Sequence, residues 1–207
     1  MTNYFTNKDS WSGGYYELAL ELGNYSDEYS DERIASVLKA LWSYPLLNRV
    51  YLQRNQEPSQ QQCISIHNFT TPPTQNHLQG LVALSDKIQV ACGTCTVREE
   101  EDGSDWLIFY IPLGTLVDVY PIIGGYPFGS TDEKSCKSWQ VSINDWLVEL
   151  GKYVFNVGEF RLGLVGFEVS GDVYAQELSA KGIPEERYQG YLVPETDSLT
   201  WYPPNSW

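Results

Sequence analysis

The sequence predicts an α+β protein: a mostly antiparallel sheet of about seven to nine strands with two or three helices packed on one face. Three observations lead there. Strand-like runs are joined by hairpin signals, of which Asp102-Gly103 is the strongest because glycine accepts the positive φ of a tight turn. Two stretches carry apolar residues at helical spacing. No segment repeats at a fixed period, which excludes a solenoid or propeller. The 207 residues, 42% apolar and 19% charged, suit one domain spanning 1–207 and exclude a disordered chain, a collagen or a coiled coil.

The first strand is the clearest. Tyr16, Leu18, Leu20 and Leu22 alternate with Glu17, Ala19 and Glu21, the period of two expected when one face is buried and the other wet. Gly23-Asn24 closes it. Ser30 then reads as a helix N-cap, with Asp31 and Glu32 in the first turn where the dipole favours anions. Ile34, Val37, Leu38, Leu41 and Trp42 share one face of that helix, and Tyr44-Pro45 ends it. A strand over 46–53 follows and completes β-α-β, which allows a small parallel element.

Residues 54–62 are polar, contain Pro58 and read as an exposed loop, the place for a boundary or flexible insertion. A short strand over 63–67 and a second proline-bearing loop over 68–76 lead into a meander. Its strands are predicted at 81–84, 88–98 and 106–111, with a tip over 99–105. Residues 116–120 read equally as strand or helical turn, and 124–137 as a long turn-rich loop. Ser142 or Asn144 caps a helix in which Ile143, Trp146, Leu147, Leu150, Tyr153 and Val154 share a face. The apolar and glycine-rich run 160–169 reads as a strand buried on both faces. A short helix over 172–181 is stopped by Gly182 and Pro184, and strands over 188–193 and 199–202 finish the chain.

Motifs for chemistry are weak. Cys92 and Cys95 form a Cys-x-x-Cys pair that with Cys63 and His67 supplies four metal-ligand types. They lie within one predicted strand, however, where residues three apart point to opposite faces, so packing is the expected role and no metal or other cofactor is expected. His67 and His77 flank a proline-rich loop without the frame of a nucleophilic triad. Asp118, Glu168 and Asp172 lie at or near strand ends, where two of them would serve as acid and base in a carboxylate-dependent hydrolase. The glycines of 124–129 lack the following Lys-Ser/Thr of a phosphate cradle.

Charge and aromatic content say more. Thirteen Lys+Arg against 27 Asp+Glu leave a net charge of −14, which sets any phosphate-tracking groove against the protein's own field. Nucleic acid and membrane are therefore not expected partners. The acids are grouped: Asp27, Glu28, Asp31 and Glu32, then Glu99, Glu100, Glu101 and Asp102. Aromatic residues recur in segments that do not read as core, including Tyr126, Phe128, Trp201 and Trp207. Exposed Tyr and Trp supply large, rigid contact area, as protein interfaces and sugar platforms require.

The opening residues Met1 to Thr6 lack a basic region followed by an apolar one, so the expectation is a cytoplasmic protein with free thiols. The expected function is non-enzymatic: an acidic binding protein, of the immunity or inhibitor type, that neutralises a basic protein partner. The alternative is a carbohydrate-binding or carboxylate-dependent hydrolase domain.

Overall fold

The computed structural model describes residues 3–66, 77–85, 88–99, 103–121, 123 and 133–206, apart from the side chains of Asn48 and 133–137. Strands β1 (Tyr15–Asn24), β2 (Leu47–Tyr51), β3 (His77–Ser85), β4 (Ile88–Arg98), β5 (Ser104–Pro112), β6 (Leu162–Phe167), β7 (Gly190–Pro194) and β8 (Leu199–Tyr202) form one sheet. Helices α1 (Ser30–Trp42), α2 (Leu113–Val117), α3 (Glu133–Phe155) and α4 (Ala175–Lys181) are inserted among them. The strand order is β2-β3-β4-β5-β1-β6-β7-β8, and every neighbouring pair is antiparallel. The α+β class and the mostly antiparallel sheet are therefore those the sequence predicts.

The small parallel element is not formed. β1 and β2 are separated by β3, β4 and β5, so α1 carries the chain across three strands that are laid down after it. Among the described residues 63–66 a single bridge, Val50 to Ile64, stands in place of the strand expected over 63–67.

The main core lies between the sheet and helices α1 and α3. Ile34, Val37, Leu38, Leu41 and Trp42 of α1 meet Ile143, Leu147, Leu150 and Val154 of α3 over Leu18, Leu20, Leu107 and Phe109 of the central strands. Burial of each large aliphatic side chain contributes about 1.5–3 kcal/mol, so this layer dominates the stability. α3 starts well before the two expected caps. Ser142 instead donates its hydroxyl to the Ser138 carbonyl one turn back, and Asn144 accepts the Tyr16 hydroxyl at 2.7 Å inside the core. Residues 113–117, overlapping the ambiguous run, are helical.

The second face is also covered, which corrects the reading of β1 as half wet. Val169, Val173, Tyr174, Leu178 and Ile183 pack over Ala19, Trp106, Ile108, Leu162, Leu164 and Tyr191. Towards the β2 edge, Phe5 and Trp11 cover Tyr51, Leu81 and Ala91. The segment carrying them is tied to the 54–62 loop, because Glu57 accepts the backbone N–H groups of Tyr4, Phe5 and Thr6 and the Thr6 hydroxyl. As a result Glu17 and Glu21, at the positions predicted to face water, are only 4% and 3% exposed.

Candidate binding surface at the acidic end of the sheet

β1 and β4 finish, and β5 and β6 begin, at the same end of the sheet: Asn24 opposes Ser104, Arg98 opposes Asp105 and Glu21 opposes Leu162. α1 starts just beyond it. This brings together acids from distant parts of the chain. Arg98 organises them, donating from Nε to Asp105 Oδ1 at 3.1 Å, from Nη2 to Ser30 Oγ at 2.7 Å and from Nη1 to Asp31. Its guanidinium also lies 4.8 Å from the centre of the Tyr25 ring. Ser30 is thus the first residue of α1 and makes no side-chain cap; its hydroxyl oxygen serves the arginine instead.

Asp27 is held in the same way, 2.9 Å from Arg33 Nη1 and 3.6 Å from Arg161 Nη2. Gly23, at φ +131°, makes room for this pair: a Cβ there would come within 3.0 Å of the Arg33 guanidinium carbon and 3.2 Å of that of Arg161. Two of the four acids ahead of or within the first turn of α1 are therefore committed to arginines of the same chain. Glu28 and Glu32 are exposed and bridge to no described residue. Tyr29 is 65% exposed and Tyr25 40%. These two tyrosines escaped the sequence reading because nothing in the local pattern separates them from core aromatics; only their place in the turn between β1 and α1 leaves them outside.

Below this surface a cleft of about 560 Å³ runs between the β4–β5 end and α4, lined by Glu21, Glu99, Ser104, Arg161, Tyr174 and Lys181 among others. Ser104 links two of its carboxylates, donating its hydroxyl to Glu21 at 2.8 Å and its backbone N–H to Glu99 at 3.2 Å. Glu99 also accepts the Tyr174 hydroxyl at 2.8 Å. Burial, and then the Glu99 carboxylate, push the Tyr174 phenol up to about 12. Further along the face, Glu17 accepts the Ser170 N–H at 2.7 Å. Burial above all, with the charge of Glu168 adding to it, raises its carboxyl to about 7.

The other predicted residues are scattered. Trp201 is not an outward platform: it is half-buried, packs against the main core, and its ring fills the space above Gly190. Cys92 lies in the helix-covered core while Cys95 lies on the opposite face, so the two thiols point apart, and Cys63 is exposed near the β2 edge. Among the described residues no group of three His, Cys, Asp or Glu side chains is placed to hold a metal ion. His77 opposes Cys95 in the β3–β4 register, and its Nδ1 lies 3.2 Å from the Tyr110 hydroxyl. Burial and the neighbouring Glu17 raise the Cys95 thiol to about 11, which leaves it protonated and a poor nucleophile.

Asp118 lines a separate recess with Tyr4, Ser10, Gln89 and Thr115, which neither Glu168 nor Asp172 joins. Glu100, Glu101, Asp102, Tyr126, Phe128, Trp207 and His67 lie outside the described residues.

No protein-family model, curated protein or solved structure matches the chain. No helix among the described residues is long and apolar enough to cross a membrane.

Proposed function

We propose that this is a cytoplasmic, non-enzymatic binding protein of the immunity or inhibitor type, which holds a basic protein partner against the acidic end of its sheet. The observation that carries the reading is the pairing of Tyr29 and Tyr25, both exposed, with Glu28 and Glu32, both without a bridge to a described residue. Rigid aromatic rings supply contact area at small entropic cost, and unneutralised carboxylates beside them steer a cationic surface into register. Asp27 and Asp31 support the patch from behind, since their arginines fix the turn that presents the tyrosines. The net charge of −14 extends the attraction beyond contact distance at low salt.

The test is affinity capture from the native host, with the wild-type chain and a Tyr29→Ala, Glu28→Lys, Glu32→Lys variant side by side at low and high ionic strength. A basic protein retained by the wild type, released by salt and missed by the variant is the expected result. Equal capture by both chains, or no specific partner at low ionic strength, would sink the reading.

A second reading, a carbohydrate-binding or carboxylate-dependent hydrolase domain, draws support from the cleft, where Glu21 and Glu99 share Ser104. A glycan array and a panel of hydrolase substrates test it; a Glu99→Gln variant that abolishes a turnover seen in the wild type would favour catalysis over partner binding.

A further inference from the structure

Residues 168–182 cross the second face of the sheet as a strap held at few points. The chain turns through the left-handed region at Glu168 (φ +48°) and Gly171 (φ +80°) as the strap leaves β6, and again at Gly182 (φ +78°) where α4 ends. Between these turns α4 buries none of its residues; Val169 is buried, while Val173, Tyr174, Ala175 and Leu178 are half-buried against the sheet. Polar bonds add to this packing. Two carboxylates on the same face of β1 accept its backbone N–H groups: Glu17 takes that of Ser170 at 2.7 Å and Glu21 that of Ala175 at 2.6 Å. Tyr174 adds a hydroxyl bond to Glu99.

We propose that residues 168–182 form a hinged strap latched onto the sheet by Glu17 and Glu21, and that ionisation of Glu17 opens it. The closed strap is what takes Glu17 out of water; the hydrogen bonds from Ser170 and Val169 favour its charge, but the cost of burial outweighs them. On β5 its register partner is Tyr110; on β6 the partner is Gly166, which has no side chain to offer. From β4 the Cys95 thiol interacts with it, and from the strap the carboxylate of Glu168 repels it. His77 of β3 is bonded to Tyr110, and Tyr15 of β1 packs against the same ring at a tilt of 59°. Among the described residues no lysine or arginine is among the groups acting on Glu17.

The direction follows by linkage. A carboxyl raised to about 7 in the closed state, and returned towards 4.5 when the strap lifts, binds its proton more tightly closed than open. Proton binding therefore favours the closed strap, and loss of the proton between pH 6 and 8 favours the open one. Opening withdraws Tyr174, Glu177 and Lys181 from the cleft and frees Glu99, so the acidic end is remodelled as the strap moves.

The test needs only the free protein. Amide hydrogen exchange is followed by residue at pH 6 and pH 8, corrected for the intrinsic pH dependence, in the wild type and in Glu17→Gln, which keeps the acceptor oxygen and cannot ionise. The expected result is that the open population of the strap rises roughly tenfold in the wild type between the two pH values, the change that this difference in proton affinity implies. Strap protection in Glu17→Gln stays flat, and β1 and β6 amides stay protected in both. A flat wild type, an equal rise in Glu17→Gln, or loss of β1 protection together with the strap would overturn the proposal. If Glu17→Gln fails to fold, carbon NMR of the wild-type Glu17 carboxyl decides: titration near pH 7 that tracks the strap amides supports it, and titration in the ordinary carboxylate range overturns it.

Discussion

Arg98 and Asp105 face each other across the β4–β5 register, with the guanidinium Nε 3.1 Å from Oδ1 and the carboxylate wholly buried. A charge removed from water in this way is tolerable only while its partner is present. Arg98→Ala is expected to destabilise the protein by about 3 kcal/mol, the low end for a buried pair because the arginine is partly solvated. Arg98→Ala combined with Asp105→Asn is expected to recover part of that loss, since the buried charge goes too. Urea unfolding of the four chains of the double-mutant cycle checks both statements.

Gly190 lies under the indole of Trp201, where an added Cβ would fall 1.9 Å from the Cη2 atom. Gly190→Ala is expected to push the ring off β7, loosening β8 and costing about 1–3 kcal/mol, as overpacking does. The near-ultraviolet circular dichroism of Trp201 should weaken while the far-ultraviolet signal holds. Trp201→Leu in the Gly190→Ala background should restore part of the stability.

Glu57 ties down residues 4–6, and its pH dependence has a definite sign. Burial works against its charge, but the hydrogen bonds from Thr6, Phe5 and Tyr4 outweigh it and hold the carboxyl below the usual range. The contribution to stability is therefore present above that range and is lost as pH falls through the lowered value. Corrected for the intrinsic pH dependence of exchange, the protection of amides 4–6 should fall as the solution is acidified, and in Glu57→Gln these amides should already be loosened at neutral pH.

The thiols should separate by reactivity. Burial pushes Cys92 well up and Cys95 to about 11, whereas Cys63 is exposed. Among the three described thiols, alkylation at pH 8, read by peptide mass spectrometry, should label Cys63 first, with Cys95 on the order of a hundredfold slower than an ordinary exposed thiol from its smaller thiolate fraction alone. Rapid labelling of Cys95 would show that its cover on the second face is not in place.

The pattern of local sequence carried the strands and helices well, and the relations between them poorly. β4 was predicted at its observed bounds, because alternation and turn residues bracket it on both sides. β1 was located correctly but misjudged in burial: Glu17 and Glu21 look like the wet face of a strand until a segment some 150 residues later covers them. The same limit applies to the acidic patch. Nothing near Asp31 in the sequence indicates that Arg98 will neutralise it, or that Arg33 and Arg161 will share Asp27, since these pairings exist only once four strands have met at one end. The opposite orientation of Cys92 and Cys95, by contrast, is legible in the sequence, because residues three apart on one strand face opposite ways, and they lie in different cores.

β1 leaves the ribosome well before either of its neighbours, since β5 and β6 are encoded far downstream of it. Its leucines have no sheet to join until Leu107 and Val165 have been synthesised, and α1 must wait with β2 at the far margin for the meander to fill the gap. Such delayed, non-local pairing makes for slow assembly and a nascent chain prone to sticking to its neighbours. Expression should therefore depend more on chaperone supply and translation pace than the stability of the finished molecule would suggest.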